Sequence, residues 1–141
     1  LIVVDLSFPD NKKFAQLCKK NSICFVQLIA PTTNTKRMKE IIKISHEMIY
    51  MISMISTTGS ALKVTTRQIM KNYEIIKKVD PSKNVAIGFG ITEKTIKSLR
   101  KANGLVVGSA LCKEISKSIK KRQNPVTNVT NIVLKLRKKI A

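Results

Sequence analysis

Three short stretches hold the residues best suited to chemistry: Thr57-Thr58-Gly59-Ser60, Ile87-Gly88-Phe89-Gly90-Ile91-Thr92 and Val107-Gly108-Ser109-Ala110. The last two directly follow apolar runs of strand length, and the first follows such a run after a few residues. In parallel β/α folds the C-terminal ends of strands are where ligands bind. Glycine at such an end leaves main-chain N–H groups open to an anion, with no Cβ in the way. A helix starting at Ser109 would aim its N-terminus at the same point, and helix N-termini favour phosphate. Gly-Phe-Gly and Gly-Ser-Ala stand one β/α unit apart, the layout of the phosphate site after the last two strands of many eight-stranded barrels. Any one of these glycines is equally well a simple turn. As a spaced pair they predict a phosphate cup at Gly90, Gly108 and Ser109.

Other chemistries find less support. Cys18, Cys24 and Cys112 form no Cys-x-x-Cys pair, and His46 is the lone histidine. Neither a metal site nor a cysteine nucleophile is expected, and the thiols suit a reducing compartment as small buried hydrophobes. Cys24 lies in a strand-like run and is expected in the core. The eight acids are Asp5, Asp10, Glu40, Glu47, Glu74, Asp80, Glu93 and Glu114. Only Asp5 falls near the C-terminal end of an expected strand; the others read as surface charges. Against them stand 27 Lys and Arg residues, for a net charge of +19. Such an excess is one mark of a nucleic-acid partner. Here the lysines are spread over every amphipathic segment, Trp is absent and aromatics make up 4%, so stacking platforms are lacking. A solvated lysine-rich surface is the simpler reading, and nucleic acid is not expected. No apolar run approaches the ~18 residues of a membrane span.

The elements that must position these stretches alternate strand and helix. Apolar runs at residues 1–6, 24–30, 48–53, 84–89 and 105–107 read as five strands, the first buried on both faces. Helical spacing follows at Phe14, Leu17 and Cys18, then at Met38, Ile41, Ile42 and Ser45 after a capping loop at residues 30–35. A long segment, 54–65, precedes a helix capped by Thr66 and faced by Ile69, Met70, Tyr73, Ile76 and Val79. Thr92 is expected to cap a short helix with Glu93 in its first turn, where a negative charge suits the dipole, and Ile96 and Leu99 inside. Gly108-Ser109-Ala110 opens a short helical turn. The last helix starts near Pro125, with Val129, Ile132, Val133, Leu136 and Ile140 as its stripe. Strands alternating with helices imply a parallel α/β architecture, either an open doubly wound sheet or part of a barrel. Periodicity alone leaves both open.

The resemblance that narrows this rests on five motifs in order: Val3-Val4-Asp5-Leu6; Leu28-Ile29-Ala30-Pro31-Thr32-Thr33; Ile49-Tyr50-x-x-Ser53 with Thr57-Thr58-Gly59; Ile87-Gly88-Phe89-Gly90-Ile91-Thr92; and Val107-Gly108-Ser109-Ala110-Leu111-Cys112-Lys113. Across nearly the whole chain they resemble the tryptophan synthase alpha subunit family. Gly-Phe-Gly-Ile with Gly-Ser-Ala is shared by several phosphate-binding barrels, whereas Ala-Pro-Thr-Thr and Tyr…Thr-Gly point to this family. The resemblance implies one domain, 1–141, in a partial (β/α)8 TIM barrel whose strands correspond to barrel strands four to eight. The chain then reads as a piece of a longer one, since a complete barrel typically needs ~250 residues.

By the same resemblance the activity is a carbon–carbon lyase of tryptophan biosynthesis, cleaving indole-3-glycerol phosphate by retro-aldol reaction into indole and glyceraldehyde 3-phosphate. Gly59, Gly90, Gly108 and Ser109 would line the phosphate cup. Tyr50 and Phe89 would flank the indole, their plainer role being core aromatics, and Thr58 would help close a loop over the site. The two catalytic carboxylates of the family would precede Leu1, leaving none in this chain. Asp5 and the Ala-Pro-Thr-Thr loop would face the beta subunit of a cytoplasmic alpha2-beta2 heterotetramer, with pyridoxal phosphate held only by that beta subunit. The chain departs from the family pattern at Ser7 (usually Pro), Ser56 (commonly Gly) and Met48 (often aromatic); Ser56 bears on closure of the loop. Another phosphate-binding barrel enzyme is the nearest rival, and a basic nucleic-acid-binding module the more distant one.

Overall fold

The structure, a computed structural model, describes residues 1–6, 8–53, 55–57, 60–62 and 64–140, with 55–57 and 60–62 described by main chain alone. Its centre is a parallel sheet of β1 (Gln27–Ile29), β2 (Met48–Ile52), β5 (Asn84–Gly88) and β6 (Gly104–Val106), hydrogen-bonded in that order. Spatial order follows chain order without reversal. A doubly wound sheet reverses direction at a switch point, so the unbroken order selects barrel-type winding from the two alternatives that periodicity left open.

Alternation along the strands explains which face is covered. Ile49 and Met51 of β2 are buried, as are Ile29, Val85 and Ile87, whereas Met48, Tyr50 and Ile52 are only half-buried. Successive side chains of a strand point to opposite faces. The buried set packs with Met38, Ile41 and Ile42 of α2 (Thr35–Ile44) and Ile69 and Ile76 of α3 (Thr66–Val79) in one core. Tyr50 therefore stands on the face turned away from these helices. Leu99 and Leu136 extend the same core to the 3₁₀ turn Ile96–Leu99 and to α5 (Pro125–Lys138).

Helix ends are set by local hydrogen bonds. Asn34 Oδ1 accepts from the Arg37 N–H at 2.9 Å, so the polar loop before α2 caps it as its composition predicts. The cap of α3 is Thr65, not Thr66: its Oγ1 accepts from the Gln68 N–H at 3.2 Å. Asn124, which the sequence reading passed over, caps α5 just ahead of Pro125. At the other end of α2, Lys83 Nζ donates to the carbonyls of Ser45 (2.9 Å) and His46 (2.7 Å), a lysine used for capping rather than for solvation.

Five expectations need correction. Residues 1–6 form no strand: Leu1 keeps two ladder-like bonds, N–H to Cys24 O at 2.7 Å and carbonyl to Val26 N–H at 2.9 Å, but a turn follows and Val4 is 71% exposed. A strand buried on both faces needs cover on both, and in this segment only Val3 and Leu6 are half-buried. Cys24 is exposed rather than core, and so is Cys112; only Cys18, on α1 (Asp10–Lys20), is buried. The segment 54–65 contains a hairpin, β3 (Ile55–Thr57) antiparallel to β4 (Ser60–Leu62), too short to announce itself by alternation. Thr92 caps no helix. The 3₁₀ turn begins at Ile96, and Glu93 instead meets Lys139 beyond α5 at 2.7 Å. The helix after β6 is longer than the expected turn: α4 spans Ser109–Lys120 and packs on α5 through Ser118, whose Oγ accepts from Asn128 Nδ2 at 2.9 Å.

Ile87 sits at the centre of this core with no exposed surface. Ile87→Ala should lower unfolding free energy by about 2–5 kcal/mol, while Val126→Ala on exposed α5 surface should stay within about 0.5 kcal/mol. Urea denaturation followed by circular dichroism measures both; similar losses at the two positions would contradict this core.

Candidate functional site

Parallel pairing aligns three strand ends. Ile52 of β2 lies opposite Gly88 of β5, and Gly88 lies opposite Val106 of β6. The residues that follow, Ser53, Phe89 and Val107, therefore emerge side by side at one end of the sheet. Of the predicted phosphate residues, Gly90, Gly108 and Ser109 are brought to this common end. Thr58 and Gly59 lie outside the described residues.

The Phe89–Gly90 turn is locally unusual. Both residues adopt left-handed backbone conformations, with φ of 69° and 65°. For glycine this is ordinary, but for a bulky residue it is an outlier that costs on the order of 1–2 kcal/mol. Phe89 is also 57% exposed, so its placement is not explained by burial. The turn is held from behind by Ser53, a buried residue at the end of β2. Its N–H donates to Gly88 O at 2.9 Å and its hydroxyl lies 2.6 Å from the same carbonyl and against that of Phe89. Ahead of it, Thr95 Oγ1 accepts from the Thr92 N–H at 3.0 Å and reaches Gly90 O at 3.4 Å.

Tyr50 and Phe89, proposed from sequence to flank a ring, do meet. Their rings stand edge to face, centroids 6.2 Å apart and planes at 86°. Tyr50 lies across Gly88: a Cβ at position 88 would collide with its hydroxyl. Burial holds the Tyr50 phenol above its ordinary range, because the phenolate would lose solvation there.

On the neighbouring strand, Gly108 is the N-cap of α4 and no side chain caps that helix. The first N–H groups of a helix have no intrahelical partner, so this end offers donors to a ligand. A Cβ on Gly108 would meet nothing within 4 Å, so no side chain covers the approach to the first residue of α4 at that point. The arrangement can hold an anion between two strand-end turns and an aromatic ring against Tyr50 and Phe89. A separate hollow of about 400 Å³ lies at the opposite end of the sheet, lined in part by Lys12, Lys19, Lys43, His46 and Lys83. Its lysines are surface residues except Lys83, which is committed to carbonyls. Among the described residues no group of three or more potential metal ligands comes together, and no helix is long and apolar enough to cross a membrane.

Ser53 and Gly88 went unassigned in the sequence reading, although both stand in its motifs. A serine 35 residues before its partner gives no local signal; only pairing of β2 with β5 reveals it.

Comparison with known proteins matches the whole chain, residues 1–141, to the family model described as tryptophan synthase alpha chain. A tryptophan synthase alpha chain of Pelagibacter ubique is 70% identical over 141 residues, all of this chain and 53% of that protein. The tryptophan synthase complex from Pyrococcus furiosus contains a chain that superposes with a TM-score of 0.74 at 30% identity, covering 97% of this chain and 53% of that one. Tryptophan synthase subunit alpha from Legionella pneumophila gives 0.76 at 23% identity, over 99% of this chain and 50% of its own, a likeness of fold. The parallel sheet is thus part of a TIM barrel, and the chain spans about half the length of the relatives it matches.

Two outcomes check the site geometry. Gly88→Ala should push the Tyr50 ring away from Phe89, abolishing nuclear Overhauser contacts between the rings; persistent contacts would contradict the packing. Ultraviolet titration should place Tyr50 above the usual phenol pKa of about 10. Because the native state then keeps a proton the unfolded chain has lost, stability should fall as pH rises from that value through the folded one. A Tyr50 midpoint at or below the usual value would count against its burial.

Proposed function

The chain belongs to the tryptophan synthase alpha chain family, and on that premise we propose that the whole protein carrying it cleaves indole-3-glycerol phosphate into indole and glyceraldehyde 3-phosphate. This chain supplies the phosphate cup and part of the indole pocket. The observation that carries the reading is the register Gly88 to Val106, which sets the Gly90 and Ser109 turns next to each other at one sheet end.

The cup works through main-chain donors. N–H groups at Gly90, Gly108 and Ser109 meet the ester dianion, aided by the positive end of the α4 dipole. Such donors cost no reorganisation when the substrate arrives. Gly59 completes the cup and Thr58 closes its loop over the substrate, roles that rest on resemblance. Tyr50 and Phe89 offer the edge and face of two rings to the indole. Fixing the phosphate at one end and the ring at the other holds the glycerol carbons in place for bond cleavage.

Cleavage needs an acid to protonate indole C3 and a base to take a glycerol hydroxyl proton. This chain is assigned neither. Glu93 pairs with Lys139, Glu114 with Lys117, and Asp80 bonds Ser82, all at the surface. In the family the two carboxylates stand on strands that precede the counterpart of Leu1. Asp5 and the Ala30–Thr33 turn are assigned to contact with the beta subunit in a cytoplasmic alpha2-beta2 assembly, where pyridoxal phosphate belongs to the beta subunit.

Gly108→Asp in the whole protein puts a carboxylate into the cup. It should weaken indole-3-glycerol phosphate binding by roughly 100-fold, about 3 kcal/mol, the scale of a lost charge-assisted hydrogen bond. Steady-state kinetics with the phosphorylated substrate measure it, and an unchanged affinity would remove the cup. The 141-residue chain by itself should show no turnover; measurable cleavage would mean that the proton-transfer groups have been misplaced.

A further inference from the structure

The phosphate cup proposed above contains a turn that should not persist unaided. Phe89 and Gly90 are both left-handed, and a bulky residue enters that region only where its surroundings hold it there. Two side chains reach the turn from the neighbouring strand, Tyr50 through its ring and Ser53 through its hydroxyl. Ser53 is 7% exposed, and its hydroxyl meets the carbonyls of both Gly88 and Phe89 while its N–H holds Gly88.

Peptide planarity converts this contact into a statement about the ligand side. In a trans peptide the carbonyl of one residue and the N–H of the next point in opposite directions within one rigid plane. Drawing the Gly88 carbonyl toward Ser53 turns the Phe89 N–H the other way, into the ladder with β6 opposite Val106. Drawing in the Phe89 carbonyl turns the Gly90 N–H away from Ser53 in the same manner, and Gly90 lies beyond the last ladder pair. A serine hydroxyl has one proton; with the Ser53 N–H already on the Gly88 carbonyl, that proton is left for the Phe89 carbonyl, and neither oxygen is free to swing toward a bound anion. The same contact thus aims the Gly90 N–H at the ester and keeps two acceptor oxygens off it.

We propose that Ser53 is a positioning residue of the phosphate cup, setting through the Phe89 carbonyl the direction of the Gly90 N–H group. The inference rests on the reading of Gly90 as a phosphate ligand. Ser53 touches neither phosphate nor indole; it acts through the turn. A residue that merely supported the fold would affect both ends of the substrate site alike, whereas this one should affect chiefly the phosphate end, because the edge contact with Tyr50 holds the Phe89 ring separately.

The test uses the whole protein with two probes, glycerol 3-phosphate for the cup and indole for the ring pocket, each titrated calorimetrically. Ser53→Ala should weaken glycerol 3-phosphate at least tenfold and leave indole within twofold. Ser53→Cys, of similar size with a weaker donor, should fall between. In wild type, exchange of the Gly90 amide should slow when glycerol 3-phosphate is bound, a readout that needs no variant to fold. Wild-type affinity for the ester in Ser53→Ala, equal losses for ester and indole, or a Gly90 amide indifferent to the ester would each overturn the role of Ser53. If wild type binds no glycerol 3-phosphate, the cup itself falls and the inference with it; wild-type binding with an unaffected Ser53→Ala removes the inference alone.

Discussion

The register between β5 and β6 is the constraint on which the rest depends. Parallel ladders place like ends together, so once Gly88 lies opposite Val106 the two following turns have no choice but to emerge as neighbours. A slip of one residue would exchange the two faces of a strand, putting Ile87 where Gly88 stands and closing the approach that Tyr50 uses. Register is secured by burial on the helix side, where Val85 and Ile87 have no exposed surface. Apolar packing on one face thereby fixes main-chain geometry on the other, the face from which the proposed site is built.

Against this well-packed frame, the strand-end turn runs contrary to folding preference. Phe89 is strained and largely exposed, two properties that burial would not select together. The Ser53 bonds and the edge contact with Tyr50 hold it, and Gly88 is the residue whose missing side chain leaves room for Tyr50. Strain concentrated at a site and compensated by its neighbours is what a preorganised binding turn requires. The surface contributes more diffusely. A net charge of +19 attracts anions over its whole extent, but only convergent, uncapped donors select one geometry.

Much of this was legible in the sequence because it is periodic or glycine-marked. The strands β2 and β5 follow from apolar runs and the buried faces of α2 and α3 from helical spacing, and the Gly-Phe-Gly and Gly-Ser-Ala turns follow from glycine at strand ends. What escaped was non-local. Ser53 needs a partner 35 residues away, Glu93 needs Lys139 from beyond the last helix, and Cys24 looked like core until its run proved to lie mostly outside the strand β1. Apolar composition alone made residues 1–6 read as a strand; their pairing stops at Leu1 for want of cover. The hairpin of β3 and β4 has only three residues per strand, too few for a pattern.

The central claim is that main-chain N–H groups of two adjacent strand ends converge on one phosphate ester. Amide-resolved nuclear magnetic resonance of the whole protein, titrated with glycerol 3-phosphate, tests it most directly. The account expects the Gly90 and Ser109 signals to shift together along one saturating curve. Shifts at only one of them, or small changes spread over the lysine-rich helices with no saturation, would contradict it.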